Sequence, residues 1–388
     1  MNIPKKLIAL LLCTAALLPM RALPVAGEPI YVAADSPIER VPLDIATSAG
    51  SAVLLDASGS EIHTLWEQNA DERRGPASTT KIMTALVAAE QMPLSQKIAI
   101  PKEAVGIEGS SVYLTEGEIL TLEELLCCTL LESANDAATA VAIAVGGSIE
   151  GFAELMNTKC DELGLESTHF VNPHGLDDSE HYTTARELGV IAAAALENDA
   201  LKKIFSTYKM TVSSPDGGTR ILINHNRLLK SIEGCIGVKT GYTKATGRCL
   251  VSAAERDGLR LIAVTLDDGN DWHDHTLMIK AGFEAYERVE LCGYTNVRLP
   301  EIDVIGGEQS QIRTAIADKI YATIPKIGAN IEYKIETASP LSAPFSRGEN
   351  AGVIVFISKG KEIARAELVT AYAAAKKKEK GFWEKLFG

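Results

Sequence analysis

Ser78 and Lys81 stand three residues apart in Ser78-Thr79-Thr80-Lys81, just after Pro76. At a helix start this spacing puts both side chains on one face of the first turn, where an amine can reach the hydroxyl. A serine hydroxyl is a useful nucleophile only when a neighbouring base takes its proton. Lysine can be that base once burial or a second cation lowers its pKa from about 10.4 toward neutrality. Two later motifs offer partners. Ser133-Ala134-Asn135 presents a hydroxyl and an amide that both face a cleft if the segment is a loop between helices. Ser133 would relay a proton, and Asn135 would bond a substrate amide and Lys81. Lys239-Thr240-Gly241, entering a strand, supplies a cation, a hydroxyl and a side-chain-free position where a peptide can approach the strand edge. Each motif alone is ordinary: a capping serine with a solvated lysine, a loop, a turn. Their order, with separations of 55 and then 106 residues, carries the weight.

The elements that must position them follow from periodicity. Ser51–Ser58 and Glu61–Gln68 flank Gly59 and predict a hairpin. Apolar Ile82, Ala85, Leu86 and Ala89 recur at helical spacing and predict a helix over Ser78–Gln91. Helical patterns continue from Thr121 to about Ala144, over Ile149–Leu163 and over Thr184–Leu196. Arg248–Ala254 and Leu259–Leu266, joined at Arg256-Asp257-Gly258, read as a second hairpin, and Thr276–Glu290 as a closing helix. Strands at both ends and helices between them predict an α+β domain whose antiparallel sheet is built from both ends around a helical insert. Short alternating runs over 294–371 predict a small β-sandwich.

Composition sets the surroundings. The 388 residues are 46% hydrophobic and 23% charged, which excludes disorder and a polytopic membrane protein. A net charge of −13 argues against a nucleic-acid partner. Lys5 and Lys6, the apolar run Leu7–Leu18 and small residues Ala22 and Ala26 have the layout of a secretory signal over 1–26. Six cysteines remain beyond it: Cys127, Cys128, Cys160, Cys235, Cys249 and Cys292. An exported chain permits disulfides, but spacing assigns none, and reduced core thiols are the simpler expectation. At the other end, 372–388 reads as an amphipathic membrane-associating tail, helical and basic over Ala373–Gly388. Its five lysines face two glutamates for a net +3, and Phe382, Trp383, Leu386 and Phe387 share one face.

Taken together, the three motifs resemble the ordered set of penicillin-binding proteins and serine β-lactamases. The chain is similar to the low-molecular-mass penicillin-binding proteins that are D-alanyl-D-alanine carboxypeptidases. The likeness runs through Pro76–Lys81, Gly109-Ser110-Ser111, Met156-Asn157, Phe170–Leu176, His181–Ala185, Asn224-His225-Asn226 and Gly237–Gly241. Pro340–Val369 resembles that family's C-terminal β domain, and the tail its membrane anchor. The resemblance implies a penicillin-binding protein/serine β-lactamase-like fold, with a catalytic domain over 27–293 and a β-rich domain over 294–371. It implies removal of the terminal D-Ala from peptidoglycan stem peptides, covalent inhibition by β-lactams and a place outside the cytoplasm, secreted or on the outer face of the membrane. Ser78 would attack with Lys81 as base, and Ser133 would protonate the leaving amine. The N–H groups of Ser78 and Tyr242 would form the oxyanion hole. Asn135 would align the peptide, and Lys239 and Thr240, beside Gly241, would hold its carboxylate. No metal or cofactor is called for.

One departure stands out. Many members carry an arginine for the carboxylate after the last sheet strands, whereas Asp267–His275 has none. Contacts beyond Lys239 and Thr240 stay open, with His273 and Arg248 as candidates. Asp271 with His273 and His275, or His174 with Asp177 and His181, could be read as metal clusters; loop hydrogen bonding is the plainer reading. Alternatives within the fold are a β-lactamase, a D,D-endopeptidase and an inactive wall-binding protein. Against the first, neither Glu162 nor Glu166 begins the E-x-x-L-N pattern.

Overall fold

The computed structural model describes residues 31–32, 38–59, 61–214 and 218–378. The export signal and the four aromatic or apolar residues of the tail lie outside the described residues. Strands Ser51–Asp56 and Glu61–Gln68 pair as the pattern around Gly59 predicts. Ser51–Asp56 also pairs with Leu259–Leu266, which continues to Gly247–Arg256 and then to Cys235–Thr243 at the edge. These five strands are antiparallel throughout. Both ends of the domain share one sheet, and the helices lie between them in sequence.

Side-chain alternation explains why this sheet is covered twice. Val53 and Leu55 face a core with Ile82, Leu86, Leu188 and Ile191. Leu54 faces Met278, Ile279 and Phe283 on the other side. Burying each such side chain is worth about 1.5–3 kcal/mol, so a one-residue slip would be costly on both faces. The helices are capped as their sequences require: Thr121 and Glu124 form a reciprocal capping box, and Ser148 and Thr184 each accept from a backbone N–H of the first turn. All six described cysteines are free thiols. Burial pushes the Cys127 thiol up to about 12, as expected for a core position.

Three expectations need correction. The helical pattern from Thr121 to about Ala144 is two helices, Leu122–Leu131 and Asn135–Gly146. Ser133 between them has φ +59°, a left-handed conformation no helix interior accepts. The expected helix Thr276–Glu290 is Asp271–Ala285 followed by a strand, Tyr286–Glu290, which pairs with Tyr321–Pro325. Tyr286 is buried against the catalytic core, while Leu291 already belongs to the next one. The tail does not begin as a helix at Ala373. Ala374 pairs with Phe345, and the Lys377 N–H donates to the Gly306 carbonyl at 2.8 Å. The β-rich domain has a six-stranded sheet that includes Asn350–Ser358, Lys361–Thr370 and Gln311–Ile316, around Ile302, Ile354, Phe356 and Leu368.

A loop clamps the start of the Lys81–Gln91 helix. Asn172 Oδ1 accepts from the N–H groups of His174 and Gly175, and the Thr84 hydroxyl donates to the Pro173 carbonyl at 2.6 Å. Gly175 has φ +84°, and an added Cβ would fall 1.8 Å from the Ala77 carbonyl oxygen. We expect Gly175→Ala to cost about 2–4 kcal/mol, read as a lower urea midpoint at unchanged slope. A midpoint equal to the parent's would show that this loop does not clamp the turn.

Candidate active site

Ser78 lies in a single 3-10 turn, Ala77–Thr80, that runs into the helix Lys81–Gln91. The tight turn is held from within, because the Thr79 and Thr80 hydroxyls donate to the carbonyls of Pro76 and Ala77 at 2.6 and 2.8 Å. Ala77, just before the serine, has φ +48°, a strained position for a residue with a Cβ. Lys81 is 0% exposed. Its Nζ lies 2.9 Å from Ser78 Oγ, 2.7 Å from Asn135 Oδ1 and 2.7 Å from the His174 carbonyl. Asn135 Nδ2 donates to the Glu108 carbonyl at 2.6 Å, which fixes the amide with its oxygen toward Lys81.

This count decides the direction of proton flow. A neutral amine has two protons and one lone pair. The Asn135 oxygen and the His174 carbonyl can only accept, so they take both protons. The lone pair is left for Ser78, whose hydroxyl then donates to Lys81. Electrostatics favour that neutral state. Burial lowers the Lys81 pKa well below its ordinary value, the Lys239 cation lowers it further, and Asp136 opposes them. Lys239 is itself buried and is brought to about 7 by desolvation. Its Nζ donates to the Thr240 carbonyl at 2.9 Å, behind the cleft rather than in it. His174 is pushed down to about 3 by burial and by the Lys81 charge, so it stays neutral beside them.

The rest of the cleft assembles around this pair. Ser133, at the helix break, lines it together with Ser78, Ser110, Thr240 and Gly241 in a space of about 340 Å³. The Ser133 hydroxyl has no hydrogen-bond partner among the described residues. Asp136, in the first turn of the next helix, explains the break. Its carboxylate accepts from the Ser111 hydroxyl and from the N–H groups of Val112 and Leu114, while the Asn135 N–H donates to the Ser110 carbonyl. The 110–114 loop is thereby wrapped onto a helix N-terminus. At Gly241 an added Cβ would lie 3.1 Å from the backbone nitrogens of Ser78 and Thr79, so the missing side chain lets the edge strand approach the Ser78 turn. The structure thus gathers Ser78, Lys81, Ser133, Asn135, Thr240 and Gly241. Tyr242 is at the rim, 64% exposed, and Lys239 acts from behind.

Sequence reasoning left the carboxylate contacts open, and the structure supplies an arginine from an adjacent strand. Arg248 pairs across the sheet with Tyr242 and lines the cleft with Thr240. Its Nη2 donates to both oxygens of Asp271 at 2.9 Å, and its guanidinium lies 5.8 Å from the Trp272 ring centre. Its Nε is buried without a partner among the described residues. The motif Asp271-Trp272 was visible in the sequence, but nothing there linked it to Arg248. His273 is exposed and does not line the cleft. Neither metal reading gathers its residues. His275 is hydrogen bonded to Ser252 and Thr265, and His181 to Thr80 and the Val171 N–H. Asp177 accepts from Thr243. Glu162 pairs with Lys159 away from the cleft.

Comparison with known proteins places the arrangement. Residues 37–270 match the family model described as D-alanyl-D-alanine carboxypeptidase, peptidase S11, and residues 295–376 match that of the penicillin-binding protein 5 C-terminal domain. The chain is 32% identical over 334 residues to D-alanyl-D-alanine carboxypeptidase DacF of Bacillus subtilis, covering 83% of this chain and 85% of that one. It is 30% identical over 367 residues to DacC of Escherichia coli, covering 88% and 87%. Penicillin-binding protein 5 from Haemophilus influenzae superposes with a TM-score of 0.68 at 28% identity, over 87% of this chain and 100% of that one. A serine and a buried lysine at the S-x-x-K turn, a sheet closed by both ends of its domain and a β-rich appendix all agree. The chain belongs to the peptidase S11 family of serine-type D-alanyl-D-alanine carboxypeptidases.

Proposed function

We propose that Ser78, Lys81 and Ser133 cleave the terminal D-Ala from wall stem peptides ending in D-Ala-D-Ala. The three-oxygen environment of Lys81 Nζ is the observation that carries this reading. Lys81 takes the Ser78 proton as Oγ adds to the penultimate D-Ala carbonyl. The oxyanion is met by the N–H groups of Ser78 and Tyr242, and the approach allowed by Gly241 supports that placement. The C–N bond breaks, the proton passes through Ser133 to the leaving amine, and free D-Ala departs. Water then hydrolyses the ester and returns Ser78. Asn135 aligns the peptide. Thr240 and Arg248 hold the terminal carboxylate, with Asp271 and Trp272 positioning the guanidinium, while Lys239 keeps Lys81 neutral. A β-lactam enters the same path and stays as the acyl adduct.

Penicillin should therefore acylate Ser78 alone. Ser78→Ala should not label, and Lys81→Met should label at least about 10³-fold more slowly. In the parent, the acylation rate should fall as pH drops through the depressed Lys81 pKa, since only the neutral amine accepts the proton. Mass spectrometry that finds the adduct elsewhere, or rapid labelling of Lys81→Met, overturns the assignment. The carboxylate has its own test. Amidating the terminal D-Ala should lower kcat/KM by about two orders of magnitude, and Arg248→Gln should shrink that gap by slowing the free acid. Equal turnover of acid and amide would mean that no C-terminus is being read.

We also propose that 1–26 is a cleaved export signal and that the protein works outside the cytoplasmic membrane, with the division at 293/294 separating catalytic and β-rich parts. The basic, aromatic tail would hold it to the membrane surface. Apolar burial of a few side chains supplies about a few kcal/mol, and net +3 adds attraction to anionic lipid. Sedimentation with anionic liposomes should retain the mature chain and release one truncated after Lys378. Equal co-sedimentation of the two would exclude the tail as the anchor.

A further inference from the structure

Where the turn after the strand Leu259–Leu266 meets the start of the helix Asp271–Ala285, two carboxyls are buried together. Asp268 is 0% exposed and Asp274 2%. Both converge on Ser48, in the segment that leads into the central strand. The Ser48 hydroxyl lies 2.8 Å from Asp268 Oδ1 and 3.3 Å from Asp274 Oδ2, and its N–H donates to Asp274 Oδ2 at 2.7 Å. The Asn270 N–H donates to Asp268 Oδ1 at 2.9 Å. Asp268 Oδ2 is left buried and without a partner among the described residues. A bare oxygen there is costly, and two ionised carboxylates side by side repel. A proton on Asp274 removes both faults, because its O–H donates to Asp268 Oδ2. Burial, the Asp268 charge and a hydrogen bond between the two carboxyls raise Asp274 above its ordinary value, against the opposing bonds from Ser48. The neighbouring charges do not relieve the pair. Arg248 is committed to Asp271, and Arg74 to Asp267 and Glu72. His275, on the same helix, is pushed down to about 3 by burial and stays neutral.

The pair underlies Arg248. The Asp268 N–H donates to the Arg248 carbonyl at 2.9 Å, and Asp271, one turn before Asp274 on the same helix face, takes the guanidinium through both its oxygens. We propose that Asp268 and Asp274 share one proton and that this acid pair positions Arg248, setting how firmly the terminal carboxylate of the substrate is read. The proposal rests on the carboxylate role given to Arg248 above. The proton belongs to the pair rather than to one residue. With it in place, the helix start is seated against Ser48 and Asp271 presents both oxygens to Arg248. Once it is lost, two negative charges are forced together one turn from Asp271, the helix start moves outward and the Arg248–Asp271 fork opens. The folded protein keeps a proton that the unfolded chain gives up in the ordinary carboxylate range. The pair's contribution to stability therefore falls as pH rises through that range and levels off once both carboxyls are ionised.

Asp274→Asn separates the hydrogen bond from the titration, because an amide N–H serves Asp268 Oδ2 at every pH. In the mature protein, the ratio of kcat/KM for free against amidated peptide should be followed from about pH 5 to about pH 8. The parent's ratio should fall about fivefold further than that of Asp274→Asn, chiefly through KM of the free acid. Lys239 titrates in both proteins alike, so the difference belongs to the pair. Over the same range the Tm of Asp274→Asn should draw ahead of the parent's. Infrared difference spectra, parent minus Asp274→Asn, should show a protonated carboxyl band at the acid end that fades as pH rises. Asp274→Ala, which leaves Asp268 Oδ2 unpaired, should raise KM at every pH, and Asp274→Asn should restore it. Parallel ratio profiles for the parent and Asp274→Asn, or spectra without a protonated carboxyl band, would overturn the acid pair while leaving Arg248 its role. An acid–amide gap unchanged by Arg248→Gln would remove that role and the positioning function with it.

Discussion

Lys81 Nζ, on a side chain with no exposed surface, meets three oxygens, and that desolvation is the constraint on which the cleft depends. In water the amine would stay protonated and the serine inert. To keep it dry, the first turn of its helix is covered by the Asn172–Leu176 loop, the start of the Asn135–Gly146 helix and the edge strand. Each cover also delivers something useful. The loop brings the His174 carbonyl, the helix brings Asn135, and the strand brings Lys239. Packing and proton chemistry are therefore the same set of contacts.

Such a site works against the stability of the fold. Two buried lysines, a strained Ala77 and a left-handed Ser133 are all conformations or charges that an unconstrained chain would avoid. The surrounding two-sided core offsets them, with the central strand Ser51–Asp56 buried along its whole length. The tie between Arg220 and the buried Glu118 extends the same logic to the rim. It fastens the strand Gly218–Ile223 to the loop that Asp136 holds, so the walls of the cleft are cross-braced.

Much of this was legible in the sequence because its signals are local. Ser78 and Lys81 share a turn, the hairpins alternate cleanly, and Gly241 reads as a side-chain-free position at a strand edge. The break at Ser133 stayed conditional, since an Ala- and Leu-rich run reads as one helix while the Ser133-Ala134-Asn135 motif asks for a loop. Only the tertiary demand of the Ser110–Leu114 backbone, satisfied by Asp136, stops it. Arg248 could be named only as one candidate beside His273 for a related reason. Arg248 lies in what reads as an ordinary hairpin strand, and its partner Asp271 is 23 residues away. Pairings of that range leave no periodic trace. The tail's first residues misled because helical composition gave way to pairing with Phe345 and Gly306.

The oxygens around Lys81 come from far apart in the chain: Asn135 is 54 residues away and His174 is 93. Until those segments converge, Lys81 is an ordinary solvated ammonium and Ser78 an ordinary alcohol. Reactivity is thus a property of the completed tertiary structure and absent from any partial one. A chain not yet folded carries no armed nucleophile, and a damaged one disarms itself as it loosens. With Ser78 in its proposed role, covalent capture by a β-lactam reports the folding of the whole site at a single atom, the serine oxygen, with no separate probe required.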